Sequence, residues 1–326
     1  MVIASAMQPI WRFMVENNTQ LKEMIRSMVI DLLQGQKQEA ASSQPVKQAP
    51  RGQVEPGVFD TVDDAIQAAK AAQARFEDCT LATREKVIAD IRATMRPRVQ
   101  ELAQKTVEET GMGRVADKVL KLNLILDKTP GVEDLVTECE TGDNGMTLYE
   151  LSAYGVIGAI TPSTNPAETL ICNTIGMLAA GNAVFFSVHP GAKHLSRLLV
   201  SELNQIIAKS IGIENLIVTL REPSIESAQE MMLHPDVSLL VVTGGPGVVK
   251  QALQSGKKVI GAGAGNPPAF VDETADIKKA AQDIVLGASL DNNILCIAEK
   301  SVVAMRQIEP QLVQEMVKAG CVLIEN

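Results

Sequence analysis

The residues Gly287-Ala-Ser-Leu-Asp-Asn-Asn-Ile-Leu-Cys296-Ile-Ala-Glu-Lys300 place a cysteine just after a polar turn. An amphipathic helical pattern precedes the turn and a strand-like run follows it, so a thiolate at Cys296 can stand at the mouth of a cleft and act as a nucleophile. The other cysteines read differently. Cys172 lies in an apolar helical stretch and, with Cys321, fits the ordinary role of a small buried hydrophobe. Cys79 and Cys139 have polar, acidic neighbours that disfavour a thiolate. Two further segments expose backbone: Thr161-Pro-Ser-Thr-Asn-Pro166 and Gly261-Ala-Gly-Ala-Gly-Asn-Pro-Pro268. Each sits between an apolar strand-like run and a new element, where α/β enzymes gather their chemistry.

Another glycine turn, in Leu239-Leu-Val-Val-Thr-Gly-Gly-Pro-Gly247, has the order strand, turn, helix. Such a turn lets an anion approach the backbone at a helix start. Its spacing is not GxGxxG, so a plain tight turn reads equally well. Gly261–Gly265 also fails that pattern, and Pro267-Pro268 block an immediate helix, which suggests a loop approached closely by ligand or backbone.

The elements around these loops alternate. Residues 58–128 are mainly helical, with one helix over Thr61–Phe76 and another over Ala82–Thr106 interrupted by Pro97. From Tyr154 onward, strand-like runs at Tyr154–Ile160, Ala183–Ser187, Leu216–Leu220, Ser238–Thr243, Val259–Ala262 and Ala269–Asp272 are separated by helical segments. This βαβ punctuation predicts a parallel sheet covered on both faces. Before it, Leu21, Met24, Ile25, Met28, Val29, Leu32 and Leu33 recur at helical spacing, and Gln34–Pro56 is rich in Gln, Ala, Ser and Pro. That pairing predicts an amphipathic helix within residues 1–33 on a flexible linker over 34–56. A short tethered helix needs something to cover its apolar face, either its own domain, a sister subunit or another protein.

The chain has 326 residues, a net charge of −9 and 46% hydrophobic residues. The acidic balance argues against general nucleic-acid binding, which needs a basic surface. No signal peptide or membrane-length apolar run is visible, so the expected location is cytoplasmic. Five scattered cysteines without CxxC or zinc spacing predict reduced thiols.

From about Gly57 onward the three loops together resemble the CoA-acylating branch of the aldehyde dehydrogenases, as found in bacterial microcompartments for propanediol and ethanolamine utilization. The resemblance implies an α/β, aldehyde-dehydrogenase-like fold. A Rossmann-type NAD-binding domain would cover 57–286, and 287–326 would begin a catalytic domain carrying the nucleophile. It also implies roles. Cys296 would be the nucleophile, with Asn165 and the backbone N–H of Cys296 as oxyanion donors; hydrolytic relatives place their asparagine one position earlier, opposite Thr164. Thr161, Pro162, Ser163 and Thr164 would line nicotinamide and substrate. Thr243, Gly244 and Gly245 would face the pyrophosphate of NAD. Ser187, His189 and Pro190 would lie near the adenosine ribose, with Ser187 opposite a lysine of hydrolytic relatives, which leaves NAD against NADP open. His189 reads equally as an exposed turn residue. Ala262, followed by Gly263, stands opposite the glutamate that activates water in hydrolytic relatives. Without that base, an acyl-enzyme can wait for the thiol of coenzyme A.

The expected reaction is oxidation of propionaldehyde or acetaldehyde to its acyl-CoA, with NAD as acceptor. The expected partners are a short-chain aldehyde, a shell protein met through the N-terminal helix, and sister subunits in a homo-oligomer. The expected place is the microcompartment lumen. Met1–Arg12, with Trp11, lies outside the family pattern. The chain stops at Asn326, soon after Cys296, whereas family members continue through most of a catalytic domain. The strand at Ser301–Met305 and the helix at Pro310–Ala319 are therefore expected to have few partners. The alternative reading is a nucleotide-binding fragment or an assembly module recruited by the N-terminal helix.

Overall fold

The computed structural model describes residues 55–324. The helix expected within residues 1–33 and most of the linker over 34–56 lie outside the described residues.

A short strand β1 (Val58–Phe59) leads into four helices, α1 (Val62–Glu77), α2 (Leu81–Met95), α3 (Val99–Thr110) and α4 (Val115–Lys128). Thr61 caps α1 by accepting from the Asp64 amide, and the Ala-rich repeat buries Ala65, Ile66, Ala69, Ala72 and Phe76 on one face. The long helix expected over 82–106 is divided at Arg96–Arg98, a 3-10 turn that contains Pro97. An antiparallel hairpin, β2 (Glu138–Gly142) with β3 (Gly145–Tyr149), follows and is exposed along its length. Its residues are too polar and glycine-rich at the turn for apolar alternation to mark it in the sequence.

The expected parallel sheet then forms. Its strands are β4 (Val156–Ile160), β5 (Ala183–Ser187), β6 (Ile217–Leu220), β7 (Val237–Thr243) and β8 (Lys258–Ala262), joined by α5 (Pro166–Ala179), α6 (Lys193–Ile211), α7 (Ile225–Leu233) and α8 (Pro246–Leu253). The order is β1-β6-β5-β4-β7-β8, with every pairing parallel. β4 and β5 are wholly buried, as their unbroken apolar runs require in a sheet covered on both faces. After β4 the chain fills positions on one side, then crosses to place β7 on the other. The loops after β4 and β7 therefore diverge at the switch point, where such sheets bind ligands.

One strand departs from expectation. Residues 269–272 were expected among the main set, but β9 (Pro268–Val271) lies outside the six-stranded sheet and pairs with β10 (Ser301–Ala304). The turn at Asn266-Pro267-Pro268 redirects the chain after β8, so β9 cannot extend the same sheet. The segments expected to have few partners do have them. Val271, Ala281, Ile284 and Leu312 form a second small core that joins β9, α9 (Ile277–Ser289) and α10 (Glu309–Lys318), with Ala304 of β10 packed against it.

Candidate active site

The loop that carries Cys296 begins with an unusual turn. Asp291, Asn292 and Asn293 have φ of +50°, +56° and +60°, the left-handed region. Asp and Asn are the side-chain-bearing residues that enter it most readily, which explains why this composition appears here. The turn is tied down from several sides. The Arg114 amide donates to Asp291 Oδ1 at 2.8 Å, and the Asp291 amide donates to Asp117 Oδ2 at 2.9 Å. Asn293 Nδ2 donates to the carbonyls of Ala288 and Glu299 at 2.5 and 3.0 Å. Lys300 Nζ donates to the Leu295 carbonyl at 2.8 Å, gathering the backbone that flanks Cys296. Cys296 itself is exposed and its thiol is free.

Beneath the turn lies a cluster that no motif announced. Lys118 and Lys121, three residues apart on α4, are both buried, and so are Asp291 and Glu168 of α5. Lys118 Nζ stands 3.0 Å from Asp291 Oδ2 and donates to the Thr164 carbonyl at 2.5 Å. Lys121 Nζ donates to Asp291 Oδ2 and to Asn165 Oδ1, and lies 3.1 Å from Glu168 Oε1. Glu168 meets Lys121 as an ion pair, and its buried oxygens have no further hydrogen-bonding donor among the described residues.

Buried charges persist when they are paired, and here each sign appears twice. Burial pushes the Lys118 ammonium below its ordinary pKa despite the nearby Glu168 and Asp291. Burial acts in the same sense on Lys121, but Glu168 and the Asp291 bond outweigh it and hold that ammonium above its ordinary value. Burial would raise the Asp291 carboxyl; the bonds from Lys121, the Arg114 amide and Lys118 overcome it and keep that group below the usual carboxylate range. Lys121 thus bridges the loop after β4, which holds Asn165, and the turn that leads to Cys296.

The glycine run serves the same loop. A side-chain carbon on Gly265 would fall 2.1 Å from the Cys296 carbonyl oxygen, so the backbones meet where only glycine fits. This is the close backbone approach expected of Gly261–Gly265. Ala262 and Gly263 are exposed at the end of β8, and the Gly244 amide donates to the Ala262 carbonyl at 3.1 Å, joining the loops after β7 and β8.

The remaining expected residues line the carboxyl edge of the sheet. Thr161 is buried; its amide donates to the Ser187 carbonyl at 3.1 Å, and its hydroxyl has no partner among the described residues. Pro162, Ser163, Thr164 and Asn165 are half-buried, as are Thr243 and Gly244, while Gly245 is exposed at the start of α8. Ser187 is buried at the end of β5. His189 and Pro190 are exposed, and His189 Nδ1 accepts from the Gly191 amide at 3.0 Å, as a turn histidine does. The strands after which these loops fall, β5, β4, β7 and β8, are consecutive neighbours in the sheet.

The aldehyde dehydrogenase family matches residues 33–321 of the chain. The chain belongs to the aldehyde dehydrogenase family. Among its relatives is a CoA-propanoylating propanal dehydrogenase of Salmonella typhimurium, 48% identical over 94% of this chain. A solved propionaldehyde dehydrogenase from the fucose utilisation microcompartment of Clostridium phytofermentans is 51% identical over 83% of the chain, with a TM-score of 0.80. A Rhodopseudomonas palustris propionaldehyde dehydrogenase, solved with bound CoA and an acylated cysteine, is 51% identical over 84% of the chain, also with a TM-score of 0.80. The chain spans 64% of the Salmonella protein's length and 63% of each solved chain. The aldehyde-dehydrogenase-like α/β fold expected from the loops is therefore the fold observed.

Proposed function

We propose that this protein oxidises a short aliphatic aldehyde, propionaldehyde or acetaldehyde, to its acyl-CoA through a thioester on Cys296. The observation that carries the reading is the placement of Cys296: exposed, on a loop clamped between Gly265 and the Asp291 turn, and bridged through Lys121 to Asn165. Relatives named for acyl-CoA formation, one of them with an acylated cysteine, support the same chemistry.

Cys296 Sγ, as thiolate, bonds to the aldehyde carbon while the carbonyl electrons move to oxygen. Asn165 Nδ2 and the Cys296 amide donate to that oxygen where its charge develops. The loops of Thr161–Thr164 and Thr243–Gly245 would hold NAD at the switch point, where it would supply the acceptor for the hydride of the same carbon. The residues there suit a dinucleotide: the Thr161 hydroxyl is buried and, among the described residues, unpartnered, and the backbone at Gly245 and Gly263 is open to approach. As the oxygen's electrons return, Cys296 carries a thioester. Ala262 offers no base to activate water, so the thioester persists until the thiolate of CoA adds and the Cys296 thiolate leaves. The product is acyl-CoA, and the enzyme thiolate is restored.

We place the protein in the lumen of a bacterial microcompartment, with its N-terminal segment reaching a shell protein and its subunits forming a homo-oligomer. The microcompartment origin of the Clostridium relative supports that setting.

The test is NADH formation from propionaldehyde with and without CoA, with the product identified by mass. CoA-dependent NADH and propionyl-CoA are expected. Free propionate formed without CoA would favour a hydrolytic enzyme. Nucleotide binding without either product would favour a binding module.

A further inference from the structure

We propose that Lys121 is a positioning residue that sets the oxyanion donor, by holding the carbonyl edge of the Asn165 amide and fixing it to the turn that carries Cys296. The inference rests on the reading of Cys296 and Asn165 as the acyl-transfer pair.

Asn165 occupies the N-cap of α5, where an asparagine side chain ordinarily accepts from the first-turn amides, yet it makes no capping bond. Its Oδ1 accepts from Lys121 Nζ instead. An ammonium has donors and no acceptor, so the edge of the amide that meets it must be the carbonyl. That contact turns Nδ2 the opposite way, where its one hydrogen bond among the described residues is to the Thr164 hydroxyl at 3.3 Å. One N–H of Nδ2 is therefore left for a ligand. A charge on Oδ1 also polarises the amide and strengthens Nδ2 as a donor.

The same ammonium donates to Asp291 Oδ2 and rests against Glu168 at 3.1 Å, so with Asn165 Oδ1 three acceptors surround it. Both halves of the oxyanion hole are thereby referred to one atom: the side-chain half through Asn165 and the backbone half through the Asp291 turn. Lys118 adds to this by holding the Thr164 carbonyl, the backbone just before Asn165. Apolar residues of similar volume could fill this space at no greater cost in stability, and they would leave the amide free to rotate.

The test compares two reactions of Cys296 in the full chain. With p-nitrophenyl propionate, sulfur bonds to the acyl carbon and p-nitrophenolate leaves, through an oxyanion and without nucleotide or CoA. With iodoacetamide, sulfur displaces iodide and no oxyanion arises. Lys121→Met is expected to slow acylation roughly 100-fold, the scale of a misplaced catalytic group, while alkylation is unchanged. Lys121→Arg is expected to recover part of the loss. In an Asn165→Ala background, Lys121→Met is expected to add nothing further.

Equal slowing of both reactions, or an additive loss in the double variant, would overturn the proposal in favour of a general structural role. If Lys121→Met does not fold, Lys121→Met/Glu168→Gln removes one charge of each sign, leaves Lys118 paired with Asp291, and carries the same expectations. Wild-type Cys296 that is alkylated but never acylated would overturn the proposed function itself, and the role of Lys121 with it. Unchanged acylation in Asn165→Ala would remove the oxyanion role of Asn165 alone, and with it the role proposed for Lys121, while leaving Cys296 as nucleophile.

Discussion

The Cys296 carbonyl oxygen occupies the space that a side chain on residue 265 would need, 2.1 Å from the position of its first carbon. The loop after β8 and the loop carrying the thiol are thus in backbone contact, and a methyl group forces one of them to move. Gly265→Ala is expected to cost about 1–3 kcal/mol of stability, as overpacking does, and to lower aldehyde turnover by about 100-fold if the thiol shifts by an ångström. Thermal melting and the rate of propionyl-CoA formation check the two parts separately. Full activity in Gly265→Ala would show that the loop relaxes without moving the thiol.

Ala262 is exposed at the end of β8, three residues before that contact. By the resemblance, hydrolytic relatives carry their water-activating glutamate there. Ala262→Glu is expected to divert part of the flux to free propionate, with NADH formed in the absence of CoA. Product analysis by mass reads the change; propionyl-CoA as the sole product would show that a carboxylate at this position does not reach the thioester.

Asp291 faces two buried lysines and a helix-start amide. Asp291→Ala leaves those ammonium groups short of a counter-charge and is expected to cost about 3–5 kcal/mol, the range for breaking a buried ion pair from one side. Urea unfolding measures it. A loss below 1 kcal/mol would mean that Glu168 alone suffices for both lysines.

The same carboxylate predicts an acid response. Its folded pKa is held below the ordinary carboxylate range by Lys121, the Arg114 amide and Lys118, against the effect of burial. A group with a depressed folded pKa stabilises the fold above its unfolded pKa, and that contribution is lost as pH falls through the folded value. The melting temperature of the wild-type chain is therefore expected to fall between about pH 5 and pH 2 more steeply than that of Asp291→Asn. Parallel profiles would show that the acid response arises elsewhere.

The turn before Cys296 and the sheet were legible because their signals are local. Asp291-Asn292-Asn293 announces a polar turn, unbroken apolar runs announce buried strands, and Pro97 and Pro267-Pro268 announce breaks. The lysine cluster gave no such signal. On α4 the apolar Leu120 and Leu124 are 58% and 55% exposed, while Lys118 and Lys121 are buried. At these four positions the helix inverts the rule by which a face is read from a sequence. Lys118 does fall in step with Leu122 and Leu126, four and eight residues on, and a lysine within an apolar stripe is the one hint the sequence holds. Its partners, Glu168 and Asp291, lie 47 and 170 residues from Lys121, so only the fold reveals the pairing. The departure of β9 from the main sheet had a similar cause, since strand character was visible and strand pairing was not.

The thioester on Cys296 is the central claim, and it can be observed directly. The chain would be mixed with propionaldehyde and NAD in the absence of CoA, quenched in acid, digested and analysed by mass spectrometry. A propionyl adduct on the peptide carrying Cys296, lost on addition of CoA and absent from Cys296→Ala, is the predicted result. NADH formed without any adduct at Cys296, or turnover retained by Cys296→Ala, would contradict the account.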